Sequence, residues 1–325
     1  MYIFKMKINI LKKLYKFTYK ARIVEEEIAN RYKDGKMRCP THLSIGQEAV
    51  SAALSLIIRK KDFSVSSHRA HLHYLANGGS LKRMIAEIYG KKSGCSKGKG
   101  GSMHLIDLSR NFMGSSAIVG NSIPVGVGLA LSSIIKKQSS LTYVFFGDGA
   151  TEEGVFFESI NFALVKKLPV IFICENNLYS VYSPLKDRQP KNRRIYKMVQ
   201  GMGLKRSYYL KSNDPYKIYN FLKNKIDFKN IRGGPYFFEF KTYRWREHCG
   251  PNFDNELKYR SLKEFNYWKK NDPIKKIKNR LKILSNDKIL KIQSLIKKEV
   301  LAAFNFAEKS EFPHQNEAYK GVYAE

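Results

Sequence analysis

An acid set in Gly147-Asp148-Gly149 closes the apolar run LTYVFF, and Asn177, 29 residues after Asp148, follows a second apolar run, PVIFIC. A carboxylate and an amide oxygen are hard donors of the kind Mg²⁺ takes, and that ion commonly adds substrate phosphates and water to few protein ligands. The small residues Gly149 and Ala150 let backbone N–H groups approach a phosphate at the N-terminus of a following helix. The spacing suits one helix and one strand, which would set Asp148 beside Asn177. The chemistry expected of the pair is a magnesium-diphosphate clamp. By itself the tripeptide reads more readily as a tight turn, and Asn176-Asn177 as a loop that starts a helix; spacing and context reverse this in favour of the clamp.

The clamp needs elements to hold it, and the flanking pattern supplies them. LTYVFF and PVIFIC read as buried strands, and TEEGVFFESINFALVKK between them reads as a helix capped by Thr151. Strand, helix and strand with short links form a right-handed βαβ unit. Upstream, Pro124 opens a small-residue helix, PVGVGLALSSIIKK, suited to close packing under a sheet. Ile10, Leu14, Phe17, Ala21, Val24 and Ile28 recur at helical spacing and define an amphipathic helix that stops near Gly35. GQEAVSAALSLIIRK, SLKRMIAEIYG and DPYKIYNFLKNKI read as further helices, and PYFFEFKTYRW as another strand. GKKSGCSKGKGGSMH fits neither period and is read as a loop, ordered over a site or mobile. Lysine-rich helices from about Ile274 and Lys288 precede a polar tail. The expected fold is a single α/β domain over 1–325. It has a doubly wound, mostly parallel sheet, an N-terminal helical arm over 1–40 and a C-terminal helical extension over 271–325.

Composition narrows the function. The chain has 325 residues and a net charge of +31, from 59 Lys+Arg against 28 Asp+Glu. The basic residues are spread along the whole chain rather than gathered in a patch, so the charge is read as compositional bias and no nucleic-acid partner is expected. The four cysteines are far apart without a CxxC pair, which indicates neither a disulfide framework nor a structural zinc site and fits a reducing cytoplasm. The basic start lacks an apolar core of signal-peptide length, and no run is long enough for a bilayer, so no membrane association is expected.

The clamp resembles the thiamine-diphosphate motif of the alpha subunits of 2-oxo-acid dehydrogenase decarboxylating components, the pyruvate, acetoin and branched-chain enzymes. The likeness extends along nearly the whole chain through HLSIGQEA at His42, GCSKGKGGSMH, AIVGNSIPVGVGLA, TYRWREHCG and YRSLKEFNYWKKNDPI. The resemblance implies thiamine diphosphate and Mg²⁺ as cofactors. It gives Asp148, Asn177 and the Tyr179 carbonyl to the metal. Gly149, Ala150 and Arg69 go to the diphosphate, Val119 lies near the aminopyrimidine, and Val181 supports the bent cofactor. His42 would contact the substrate carboxylate, and His248 would assist acyl transfer. His71 also matches a pyruvate-type position, while His73 and His104 read equally as ordinary loop histidines.

Two departures stand out. His68 takes the place of the family's tyrosine before Arg69 and remains in the cofactor-binding set. The loop Arg246-Glu247-His248-Cys249 lacks the serine that is phosphorylated in some relatives, so phosphoregulation there is not expected, and the lipoyl-domain partner is in question. The resemblance further implies a separate beta subunit that supplies the activating glutamate, in a heterotetramer of two alpha and two beta subunits (α₂β₂). The expected activity is decarboxylation of a small, pyruvate-like 2-oxo acid with acyl transfer to lipoamide on a lipoyl-bearing acyltransferase. The alternatives are a thiamine-dependent enzyme of a specialised biosynthetic pathway and a split transketolase-like half, each with a different acceptor.

Overall fold

The computed structural model describes residues 2–37 and 39–321. Among the described residues there are eight strands: β1 (Phe63–Ser67), β2 (Phe112–Ser116), β3 (Thr142–Gly147), β4 (Val170–Asn176), β5 (Tyr179–Ser180), β6 (Ser183–Pro184), β7 (Ser207–Lys211) and β8 (Tyr236–Lys241). Six of them form one sheet in the order β2-β1-β3-β4-β8-β7, and every pairing in it is parallel. β5 and β6 make a small antiparallel hairpin after β4.

Helices cover both faces of the sheet, which is why its central strands read as unbroken apolar runs. Alternate residues of one strand enter different cores. Val144, Phe146, Phe172 and Phe237 pack with α5 (Ser122–Ile135), α6 (Gly154–Val165) and α8 (Ile195–Gly201). Tyr143, Phe145, Ile171, Ile173 and Phe238 point the other way, into the larger core. That core is built with α1 (Tyr2–Tyr32), α2 (Glu48–Leu54), α3 (His71–Ala76), α4 (Leu81–Ile88), α9 (Pro215–Lys225), α11 (Pro273–Arg280) and α12 (Asn286–Lys309). α7 (Leu185–Arg188) lies by the end of β3, where Arg188 pairs with Asp148, and α10 (Leu262–Lys270) adds Phe265 and Trp268 to the larger core.

The stripe read on α1 is real: Leu14, Ala21, Val24 and Ile28 have no exposed surface, and they pack into the same core as the sheet and α12. Gly126 on α5 shows the close approach its sequence suggests, since a Cβ there would lie 2.3 Å from Val144. The Gly/Lys-rich loop is ordered. The carboxylate of Glu87 accepts hydrogen bonds from the N–H groups of Ser96, Gly98 and Gly100 at 2.7, 2.9 and 2.7 Å.

One local reading needs correction. The helix after β3 begins at Gly154 with Glu153 as its cap residue, not at Thr151. Residues Asp148–Glu152 form a 3₁₀ turn instead, because the Thr151 hydroxyl donates to the Asp148 carbonyl at 2.7 Å and tightens the chain there. Strands β1, β2 and β7 have no apolar run to reveal them. β1 buries Ser64 and Ser66, whose hydroxyls bond Asn77 and His73 at 2.7 Å each. Among the described residues, no helix is long and apolar enough to cross a membrane.

Candidate active site at the strand ends

The chain runs from β1 outward to β2 and then returns to place β3 on the other side of β1. That reversal opens a crevice at the carboxyl ends of β1 and β3, where open α/β sheets bind ligands. The cleft found there is lined by His68 and Arg69 after β1, Val119 and Gly120 before α5, Gly147–Ala150 after β3, Asn177 and Tyr179 after β4, and His248 after β8.

Parallel pairing of β3 with β4 brings the clamp residues to one end, with Gly147 in register with Glu175. Asp148 is 1% exposed, and its carboxylate lies near the backbone N–H groups of Asp148 and Asn177, which favour its charged form. Burial pushes its pKa up against the pull of Arg188, whose guanidinium pairs with both Asp148 and Glu152. A cation therefore already stands on this carboxylate, as a buried anion requires. Asn177 is also buried; its Oδ1 accepts from Tyr179 N at 3.1 Å, and its amide nitrogen donates to Gln47 at 3.3 Å. Gly149 has no room for a side chain, because a Cβ would sit 2.8 Å from the Ser180 hydroxyl. The donor set, one carboxylate and one amide oxygen beside a backbone cradle free of side chains, fits a magnesium-bound diphosphate.

Two buried arginines lock the loops around the cleft. Arg69 is 6% exposed and donates to the Leu43 carbonyl at 2.6 Å and the His248 carbonyl at 3.0 Å. Burial, helped by Arg244, draws its guanidinium down to about 10, so it stays charged at neutral pH. Arg244 has no exposed surface and donates to the carbonyls of Arg246 and Val181, each at 2.6 Å. Trp245 N reaches the Ile45 carbonyl at 2.9 Å and Gly250 N reaches the Thr41 carbonyl at 2.8 Å, which lays the 245–250 loop along the 41–45 segment. Leu178 and Val181 carry positive φ, at 76° and 53°, so backbone strain gathers at the hairpin beside the clamp.

The outcome is three imidazoles in mutual contact. The ring centroids of His42, His68 and His248 lie 4.5, 5.0 and 5.4 Å apart. Burial first, then the charge of Arg69, lowers their pKa values to about 2, 4 and 3, respectively, so all three are neutral at physiological pH. His42 is 6% exposed, and its Nδ1 has no hydrogen-bond partner among the described residues. A depressed histidine pKa has a signed consequence. The unfolded chain takes up the proton near pH 6.5 and the folded chain does not, so the stabilisation is present above that pH and fades as the pH falls towards about 2. Between pH 7 and pH 5, His42 alone should cost about 2 kcal/mol. Urea unfolding at the two pH values should show the loss in the wild type and a smaller one in His42→Phe; equal losses would contradict the assigned burial.

The residues read as site candidates border this cleft or its histidine cluster, except His71 and Val181. The two ring nitrogens of His71 bond Glu25 at 2.8 Å and Ser102 at 2.7 Å, inside the core. Val119 lines the cleft, 45% exposed, while Val181 stands outside the lining at 44% exposed. Sequence reading missed Arg188, Gln47 and Glu175; His73, read as equally an ordinary loop histidine, lies on α3 and lines the cleft. His73 stacks on Phe145 at 4.1 Å and bonds Glu175 at 2.9 Å. Gln47 was within reach, since it sits in the quoted GQEA; nothing local marks Arg188.

Comparison with known proteins covers the same ground. The family model described as the dehydrogenase E1 component matches residues 16–316. The chain is 36% identical over 307 residues to the pyruvate dehydrogenase E1 component subunit alpha of Rickettsia bellii, spanning 93% of this chain and 92% of that protein. It is 34% identical over 322 residues to the protein of the same name in Porphyra purpurea, spanning 96% and 92%. The chloroplastic subunit alpha-3 of Arabidopsis thaliana is 34% identical over 322 residues, with 96% of this chain aligned to 74% of that one.

Proposed function

The chain belongs to the dehydrogenase E1 component family, and from that premise we propose that it is the alpha subunit of a thiamine-diphosphate-dependent component that decarboxylates pyruvate. The observation that carries this reading is the meeting of Asp148, Asn177, Arg69 and the histidines in one cleft at the sheet's switch point.

Thiamine diphosphate, when bound, supplies the electron sink that makes loss of CO₂ from a 2-oxo acid feasible. The chain's own task is to hold and orient. Asp148, Asn177 and the Tyr179 carbonyl would hold Mg²⁺, and the N–H groups of Gly149 and Ala150 would face the diphosphate, with Arg69 adding fixed charge. Arg188 must leave Asp148 before a metal takes its place. Neutral His42 offers the substrate carboxylate a hydrogen bond from Nδ1, now without a partner, and His248 is set to pass a proton during acyl transfer.

The alpha naming of the relatives supports a beta partner for this chain. The beta subunit would supply the activating glutamate in an α₂β₂ assembly, and the acyl group would pass to a lipoyl-bearing acyltransferase. Ile118, Val125, Ile135 and Phe162 on and around α5 and α6 are exposed apolar surface for the partner to cover. Co-expression with a candidate beta subunit tests the reading. Pyruvate turnover is expected only with both subunits, thiamine diphosphate and Mg²⁺. An assembled complex that binds no thiamine diphosphate would overturn it.

A further inference from the structure

We propose that His42, His68 and His248 form a reversible binding site for a d-block divalent ion such as Zn²⁺, separate from the oxygen-donor site of Asp148 and Asn177. One nitrogen from each ring comes within 4.8 Å of the other two. Ligand atoms of a tetrahedral ion with bonds of ~2.0 Å stand ~3.3 Å apart. Side-chain rotation of about 1.5 Å therefore closes the set around an ion.

Three further observations point the same way. First, no side-chain nitrogen of the three rings has a hydrogen bond to the protein among the described residues, in contrast to His71 and His73, whose nitrogens are all paired. The buried Nδ1 of His42 is an orphan that a metal would satisfy. Second, the rings are neutral at physiological pH, so each keeps a lone pair to donate and no proton has to leave first. Third, the loops that carry them are fixed: Arg69 ties the Leu43 carbonyl to the His248 carbonyl, and His68 precedes Arg69 in the chain.

Ligand chemistry separates this site from the clamp. Imidazole suits Zn²⁺, Ni²⁺ and Cu²⁺, whereas carboxylate and amide oxygen suit Mg²⁺. Excess magnesium should not compete for the three rings. The guanidinium of Arg69 stands close enough to depress all three imidazoles, and the same repulsion weakens a bound cation. The site is therefore expected to exchange its ion rather than hold it as a structural zinc does.

Binding itself does not depend on the thiamine reading. A consequence that does rest on it is inhibition, because an ion on His42 and His248 would take both imidazoles away from the oxo acid. The two ideas fail separately, since the test below uses neither thiamine diphosphate nor substrate.

The experiment is calorimetric titration of the full chain with Zn²⁺ in excess Mg²⁺, together with X-ray absorption at the zinc edge. The expected result is one Zn²⁺ per chain with a nitrogen shell at ~2.0 Å. His68→Phe keeps the ring packing and removes the ligand, and should lower the affinity at least about tenfold. His248→Gln should do the same, while His314→Ala, on the exposed C-terminal segment, should change nothing. Unchanged affinity in both cluster variants would overturn the proposal. So would a sulfur shell, which would assign the ion to cysteine, or complete displacement by Mg²⁺.

Discussion

Replacing Asp148 by alanine should abolish magnesium-dependent binding of thiamine diphosphate, with affinity falling at least about hundredfold in calorimetric titration of the assembled complex. Loss of a supporting residue around a metal already costs about 10–100-fold, and Asp148 is a direct hard donor. It is buried at the end of β3, and its carboxylate faces the cleft beside Asn177. Asp148→Asn should fail nearly as badly, because it keeps the shape and an oxygen but removes the charge that a hard dication requires. Normal titration by Asp148→Ala would show that the cleft binds its cofactor without this carboxylate, and the clamp would have to be abandoned.

Arg188→Ala should destabilise the cofactor-free chain by about 3–5 kcal/mol, the usual result of leaving one member of a buried ion pair alone. The guanidinium contacts Asp148 and Glu152 together, and its side chain is 11% exposed beside an Asp148 side chain at 1%. Burial already pushes the Asp148 pKa up, and the charge of the arginine is the strongest influence holding it down. Without the arginine it rises further, so the loss should be largest where the carboxylate must ionise and should shrink as the pH is lowered. Mg²⁺ with thiamine diphosphate should restore more stability to this variant than to the wild type, because the metal replaces the missing charge. Equal thermal midpoints for variant and wild type, without cofactor, would mean that the pair contributes nothing.

These two outcomes separate what was legible from what was not. Asp148 and Asn177 could be found because adjoining strands carry them at the end of apolar runs, and strand-helix-strand geometry turns a 29-residue spacing into proximity. Arg188 could not be found, since it lies in a polar stretch with no period, and only the hairpin β5–β6 and the short α7 bring it back over Asp148. The serine-bearing strand β1 was hidden for a related reason. Ser64 and Ser66 are buried by side-chain hydrogen bonds rather than by hydrophobicity, and composition does not register such partners.

The sequence by itself determined the parallel α/β architecture, the amphipathic face of α1, the meeting of Asp148 and Asn177 at neighbouring strand ends and the family likeness. Each of these is written in local periodicity or in motifs of fixed spacing. Tertiary structure alone decided that His42, His68 and His248 share one contact, that Arg188 neutralises Asp148, and that His71 is a core residue bonded to Glu25. The physical reason is range. Hydrophobic period and turn chemistry act over a few residues, whereas the charge environment and hydrogen-bond partners of a buried side chain are set by segments far apart in the chain, and only packing brings them together.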